Sequence, residues 1–216
     1  MTGFRTGKPM TSSTTAIATW AEMSGSRLHI GLTGRMGSGK GEVARLLEAD
    51  GFVYISLSDM VRREARRLGR PVNRARMQDI GNRMRREGGG GVLGAKVAAQ
   101  IRKQVDTIHW VIDGIRNPAE VEALRKLPAF FLLGVDAPLP QIMQRLLSRA
   151  RETDRLTEAE LLARLEREWG ENEPPDGQRV GDCMRVADFV LANDKDLETL
   201  KQRLRLWLKS LEVDHE

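Results

Sequence analysis

Apolar residues fall along this chain in short continuous runs, with stretches of helical spacing between them. Leu28 to Thr33 (LHIGLT), Gly51 to Ser56 (GFVYIS), His109 to Gly114 (HWVIDG), Ala129 to Val135 (AFFLLGV) and Asp188 to Asn193 (DFVLAN) each read as a strand buried on both faces. After the first run, Val43, Leu46 and Leu47 recur at helical spacing. Ser58 or Asp59 caps a helix carrying VRREARRLGR, which stops near Gly69 and Pro71. Met77, Ile80 and Met84 mark the face of a further helix, the glycines 88–91 end it, and Val92 to Val105 resumes as a helix. Asn117, Pro118 and Glu120 form a capping signature for the next one. Leu139 to Arg149 is helical, and ARETDR reads as a polar break. Thr157 opens a helix carrying Leu161, Leu165 and Trp169, a loop with Pro174, Pro175 and Gly177 follows, and a terminal helix aligns Leu197, Leu200, Leu204, Trp207 and Leu211. About five strands alternating with helices predict an α/β fold, with a parallel sheet covered on both faces.

Length and composition narrow this further. A chain of 216 residues makes one domain with one good core. A single cysteine, Cys183, leaves no disulfide framework and no Cys-rich metal site. No apolar run approaches the roughly 18 residues of a membrane helix. Residues 1–26 are rich in Ser and Thr, show no period and lack a long apolar core, so they read as a disordered leader rather than a secretory signal. The expected location is cytoplasmic. Net charge is +5, and 27 of the 35 basic side chains are arginine, whose planar fork suits phosphates. Base composition of a genome accounts for a total but not for arginines at particular positions, so position carries the information.

The stretch between the first strand and its helix, GLTGRMGSGK, carries the clearest chemistry. Gly34, Gly39 and Lys40 fit the phosphate-loop pattern G-x-x-x-x-G-K-[ST], with Met36, Gly37 and Ser38 inside it. Small residues let backbone N–H groups converge on phosphate oxygens, the helix N-terminus adds partial positive charge, and Lys40 reaches the β- and γ-phosphates. The pattern departs at Gly41, where a hydroxyl usually touches Mg²⁺. Since Mg²⁺ keeps several waters, a water can take that position, with weaker metal binding as the expected cost. Asp113, at the end of an apolar strand, is the candidate acid that steadies the metal through water.

The order GLTGRMGSGK, YISLSDMVRREA, VIDGIR resembles nucleoside monophosphate kinases of the adenylate kinase type. VDAPLPQIMQRLLSRA and RVADFVLAND are more similar to dephospho-coenzyme A kinases. The combination, spanning about Arg27 to Leu211, most resembles the poorly characterised dephospho-CoA-kinase-like nucleotide kinases of archaea. The resemblance implies a P-loop NTPase three-layer sandwich over 27–213, with an acceptor flap at about 58–105 and a mobile lid at about 149–158. It implies ATP and Mg²⁺ as cofactors, and Asp59, Arg62 and Arg116 at the acceptor. The chain is one residue shorter between the DG pair and Arg116 than the adenylate kinase pattern. It implies Arg149 beside ATP and Arg151 on the transferred group, with Arg155, Arg164 and Arg167 as further lid candidates, and Asn193 bounding the adenine. Gln78 and Asn82 are candidates for reading a base edge. Arg164 and Arg167, set among Glu166 and Glu168, also read as an exposed salt-bridged surface.

These features point to ATP-dependent phosphoryl transfer to a small-molecule nucleotide by a monomer or homodimer. A monophosphate acceptor brings its own anionic nucleophile, whereas dephospho-CoA presents a hydroxyl that benefits from a base such as Asp59. The H-P and P-L-L-F-E-like elements of dephospho-CoA kinases are missing and VIDGIRNP stands in their place, which favours the monophosphate. A nucleotide sensor without transfer is the rival class, with Gly41 in its favour. Nucleic-acid binding lacks the interleaved aromatics that stack bases, and no H-x-E or P-C-x-x-C supports zinc deaminase chemistry.

Overall fold

The computed structural model describes residues 27–69, 74–104, 108–153 and 157–213; the leader at 1–26 lies outside them. In chain order the elements are β1 (His29–Thr33), α1 (Lys40–Ala49), β2 (Val53–Ser56), α2 (Leu57–Arg67), α3 (Arg74–Gly88), α4 (Val92–Ile101), β3 (Trp110–Asp113), α5 (Pro118–Leu124), β4 (Phe130–Asp136), α6 (Leu139–Thr153), α7 (Glu158–Trp169), α8 (Val180–Arg185), β5 (Phe189–Ala192) and α9 (Leu197–Val213). The strands form one parallel sheet in the order β2-β3-β1-β4-β5. β1 sits in the centre, with β3 on one side and β4 on the other. Such a reversal of strand order opens a crevice beyond the carboxyl ends of the strands, where ligands of open α/β sheets bind.

Alternation along the strands sorts side chains onto two faces. Leu28, Ile30, Leu32 and Val111 join α1 and α9 in one core, into which α9 sends Leu200, Leu204, Trp207, Leu208 and Leu211. Trp110, Ile112, Phe130 and Leu132 join α2, α4 and α5 in the other. Each buried leucine contributes roughly 1.5–3 kcal/mol. A third, smaller cluster packs α6 on α7 through Ile142, Met143, Leu146, Leu161 and Leu165, with Met36 of the glycine loop against it. The expected three-layer sandwich is therefore present, and the helix pair α6–α7 is attached to the rest beside the loop.

Local signals in the sequence are realised at two helix starts. Asn117 and Glu120 close a capping box on α5, and Thr157 and Glu160 close one on α7. Four expectations need correction. Ser56, rather than Ser58 or Asp59, is the N-cap of α2, its hydroxyl accepting from the Ser58 N–H. The helix from Val92 ends at Ile101 rather than Val105. ARETDR does not break the chain at its start, because α6 runs on to Thr153; Arg and Glu are good helix formers, so a polar run does not by itself end a helix. The stretch after Gly177 holds a short helix, α8, where the sequence pattern predicts none. No helix among the described residues is long and apolar enough to cross a membrane.

His29, fully buried at the start of β1, makes this fold sensitive to acid. Its Nδ1 donates to the Pro128 carbonyl at 2.6 Å, which leaves Nε2 as a lone pair without a partner among the described residues. A proton there would create a buried cation with no acceptor. Burial lowers its pKa to about 4 against the opposing pull of the Pro128 carbonyl, and the charges of Arg27 and His109 push the same way as burial. The unfolded chain takes up this proton near pH 6.5 and the folded chain only near 4. His29 therefore supports the fold fully above about 6.5, and this support is lost as the pH falls toward 4. Thermal midpoints should drop across that window, and His29→Asn, which keeps a donor for Pro128, should flatten the drop.

Candidate active site

The glycine loop joins β1 to α1. Gly34, Gly37 and Gly39 all carry positive φ, and Gly39 (φ 108°) is the N-cap of α1. At Gly39 a side chain is excluded twice: a Cβ would strain the left-handed backbone, and it would lie 2.1 Å from Asn193 Nδ2. Asn193 is there because its Nδ2 donates to the Ser38 carbonyl at 2.8 Å, while its own backbone N–H bonds Asp136 O. Arg145 of α6 braces the same loop, donating to Gly37 O at 3.3 Å and to Asn193 O at 3.2 Å. Carbonyls on the outside of the loop are thereby held, and the N–H groups of Gly37, Gly39 and Gly41 have no partner among the described residues. Converging unpaired N–H groups at a helix N-terminus form an anion cradle. Lys40 Nζ lies over the loop entrance, donating to Gly34 O at 2.6 Å and Arg35 O at 2.9 Å.

Asp113 ends β3 opposite Ser56 of β2. Strand alternation from Val111 puts it on the face covered by α1, the helix whose first turn follows Lys40. One carboxylate oxygen, Oδ2, accepts from the Tyr54 hydroxyl at 3.0 Å; the other, Oδ1, is buried without a protein partner among the described residues. Burial, then the charge of Asp113, pushes the Tyr54 phenol up to about 12, so it remains a hydrogen-bond donor at neutral pH. The cradle and the open carboxylate oxygen fit a nucleotide triphosphate and a hydrated divalent cation. A Cβ added at Gly41 meets nothing within 4 Å, so packing does not forbid a side chain there.

Beside the loop lies a cavity of about 500 Å³ that reaches Met36 and is lined by Arg62, Arg85, Arg116, Arg164 and Arg167. α2, α3, the turn after β3 and α7 supply these arginines. Arg85 and Glu120 form a buried ion pair at 2.8 Å, and Asn82 accepts from Arg85 at 3.1 Å. The second Glu120 oxygen accepts from the backbone N–H groups of Arg116 and Asn117, which fixes where the Arg116 side chain starts. The Arg116 guanidinium pairs with Glu168 at 3.1 Å and donates to Gln178 at 3.1 Å.

The expected residues divide in three. Gly34 to Gly41, Asp113, Arg62 and Arg116 sit at the crevice, and Gln78, Arg164 and Arg167 line the cavity. Asp59 pairs with Arg62 one turn along α2 and does not itself line the cavity. Asn193 braces the phosphate loop, and Asn82 is buried against Arg85. The backbones of Arg149 and Arg151 lie in α6, but their side chains, and all of Arg155, lie outside the described residues. Glu168 corrects the reading of its neighbourhood as a solvated surface: it is 5% exposed and faces Arg116. No local signal in the sequence marks Arg85, Arg145, Tyr54, Glu168 or Gln178 as part of the site. The Cys183 thiol is buried and pushed up to about 12, chiefly by that burial, so it is no nucleophile at neutral pH.

A parallel sheet of this order, a glycine loop capping the first helix, an acid closing the neighbouring strand and an arginine-lined cavity together define a P-loop kinase-like fold. A family model described as an AAA domain matches residues 33–162. A UPF0200 protein of Methanothermobacter thermautotrophicus is 33% identical over 183 residues, covering 84% of this chain and 90% of that one. The chain belongs to this UPF0200 family, with the AAA domain as its core. Among solved structures, TT1252 of Thermus thermophilus superposes with a TM-score of 0.59 at 22% identity, covering 86% of this chain and 98% of the other. A shikimate kinase of Bacteroides thetaiotaomicron gives 0.53 at 14% identity, with 86% and 98% covered. At these identities the likeness is one of fold.

Two outcomes follow for the site. Glu120→Gln leaves Arg85 as a buried, unbalanced cation and should destabilise the protein by about 3–5 kcal/mol in urea titrations, the loss being far smaller if Arg85 is solvated. Gly41→Ser fits without clash and should lower the Mg²⁺ concentration needed for ATP binding several-fold by calorimetry; an unchanged requirement would place the metal away from this position.

Proposed function

We propose that the protein is an ATP-dependent kinase that transfers a phosphoryl group to a nucleotide, a ribo- or deoxynucleoside monophosphate. The observation that carries this reading is the cavity itself: five arginines and one acid line it among the described residues, and it touches the phosphate loop at Met36. Its volume of about 500 Å³ falls within the span of small-molecule sites, roughly 300–1,000 Å³.

The chemistry needs positioning and charge neutralisation more than covalent help. The N–H groups of Gly37, Gly39 and Gly41 hold the donor's phosphates and Lys40 follows the group in transfer. Asp113 would hold a hydrated Mg²⁺ through its open oxygen, and that ion would supply charge neutralisation at the phosphates. Arg62 and Arg116 clamp the acceptor's phosphate, an oxygen of which bonds to the γ-phosphorus as its bond to the ADP oxygen breaks. Arg164 and Arg167 add charge from α7.

Dephospho-CoA as acceptor is disfavoured by the same lining. A ribose hydroxyl gains from a base, yet the one carboxylate lining the cavity among the described residues, Glu168, is engaged by Arg116 and by the Met36 N–H. A phosphate nucleophile is already ionised and needs no base.

The test is ADP release from MgATP across ribo- and deoxynucleoside monophosphates, dephospho-CoA, shikimate and gluconate. One monophosphate should stimulate release, Lys40→Ala should abolish it, and Arg116→Ala should lower kcat/KM for that acceptor by about a hundredfold or more. Stimulation by dephospho-CoA alone, or ATP binding with no acceptor at all, contradicts the proposal; the latter identifies a sensor.

A further inference from the structure

Glu168 is a buried acid in a cavity whose other charged lining residues are all arginines. Its Oε2 accepts the Met36 N–H of the phosphate loop at 2.7 Å, and its Oε1 pairs with Arg116 Nη1 at 3.1 Å. The same Nη1 donates to Gln178 Oε1 at 3.1 Å. Nη1 thus faces both acceptors, hydrogen-bonded to Gln178 and ion-paired with Glu168. Among the described residues, Nε and Nη2 of Arg116 have no hydrogen-bond partner. That remaining edge, with its two parallel N–H groups, is the one a phosphate accepts in bidentate fashion.

Local packing shows how this arrangement is held. Gly170 caps α7 with φ 89°, and a Cβ there would lie 2.2 Å from the Gln178 carbonyl, so only glycine lets the 178 segment close on the end of α7. Trp169, next to Glu168, stacks its indole on the Arg35 guanidinium of the phosphate loop at 3.8 Å. Two consecutive residues of α7 therefore grip the donor loop, and one of them also holds the acceptor arginine.

We propose that Glu168 is a positioning residue that ties the phosphate loop to Arg116 and presents the Nε/Nη2 edge of that arginine to the acceptor's phosphate. The inference rests on reading the cavity as the acceptor site. A carboxylate suits the task better than an amide, because it offsets the mutual repulsion of Arg116 with Arg62, Arg164 and Arg167 and supplies separate oxygens to the loop and to the guanidinium.

Glu168→Gln separates the two contacts: its amide oxygen can still accept from Met36 N–H, but the charge that orders Arg116 is gone. Steady-state kinetics on the acceptor identified above should show kcat/KM for that acceptor falling about tenfold or more, chiefly through KM, with KM for MgATP within about twofold. Adding Glu168→Gln to Arg116→Ala should cost nothing further, and Glu168→Asp should recover part of the loss. Gln178→Met, which leaves the loop contact untouched, should act in the same direction. Equal losses for MgATP and acceptor, additive losses in the double variant, or no loss in Glu168→Gln would overturn the proposal. A readout without turnover keeps it distinct from the kinase assignment. In ¹⁵N-labelled full-length protein the Arg116 Nε–H resonance should be sharp in the wild type and exchange-broadened in both Glu168→Gln and Gln178→Met, with Met36 amide protection retained in both. An Arg116 signal insensitive to both variants contradicts the proposal even if the kinase is confirmed. A wild type that phosphorylates no acceptor refutes the kinase reading and leaves this coupling to be judged on the resonances.

Discussion

The buried carboxylate of Glu120 is the constraint from which the acceptor side is built. It has no exposed surface, and it receives Arg85 from α3 together with the backbone N–H groups of Arg116 and Asn117. Three donors from two separate segments converge on one group, so α3, the turn after β3 and the start of α5 cannot shift independently. Asn117, capped by the same device, sends its side-chain amide to the carbonyls of Pro175 and Gly177, which brings the loop before Gln178 into place. A buried ion pair of this kind is costly to desolvate, and its value lies in fixing one arrangement of charge around the cavity. The donor side has its own brace, Asn193 and Arg145 holding the carbonyls of the glycine loop so that its N–H groups face inward.

Electrostatics divides the work between the two sides. The loop offers neutral N–H dipoles and one ammonium, whereas the cavity offers guanidiniums from four different segments. Several of these carry structural partners: Arg85 has Glu120, Arg167 has Asp79 and Glu173, and Arg62 has Asp59. Arg62, through Nη1 to Asp59, and Arg116, through Nη1 to Glu168 and Gln178, both leave an Nε/Nη2 edge without a hydrogen-bond partner among the described residues; of the two, Arg116 is tied to the phosphate loop through Glu168, which is why the reading of the site turns on it. The basicity of the chain thus goes in part to ion pairs within the fold and in part to the cavity.

Elements set by local spacing are legible in the sequence itself. The five strand runs, both capping boxes, the glycine loop and the acid ending β3 all follow from residues a few positions apart. What the sequence conceals depends on distant partners: Glu168 meets Met36 across 132 residues, and Asn193 meets Ser38 across 155. Glu168 does fall on the face of Leu161 and Leu165, at i+7 and i+3, whereas the exposed Glu166 does not, but this spacing marks a face and says nothing of the loop and arginine that Glu168 meets. Helix α8 escapes because six residues hold too little of a helical period to register. Asn193 stands after the last strand, as expected, and the contact its side chain makes with the Ser38 carbonyl is one that local spacing does not reveal.

The account stands on donor and acceptor phosphates meeting between the glycine loop and Arg116. A crystal structure with a bisubstrate dinucleotide, two adenosines joined by five phosphates, addresses that claim most directly. The account predicts one end of the phosphate chain on the N–H groups of Gly37, Gly39 and Gly41, and the other on the Nε/Nη2 edge of Arg116 inside the cavity. A phosphate chain that occupies the loop and runs out to solvent, leaving the arginines untouched, would contradict it.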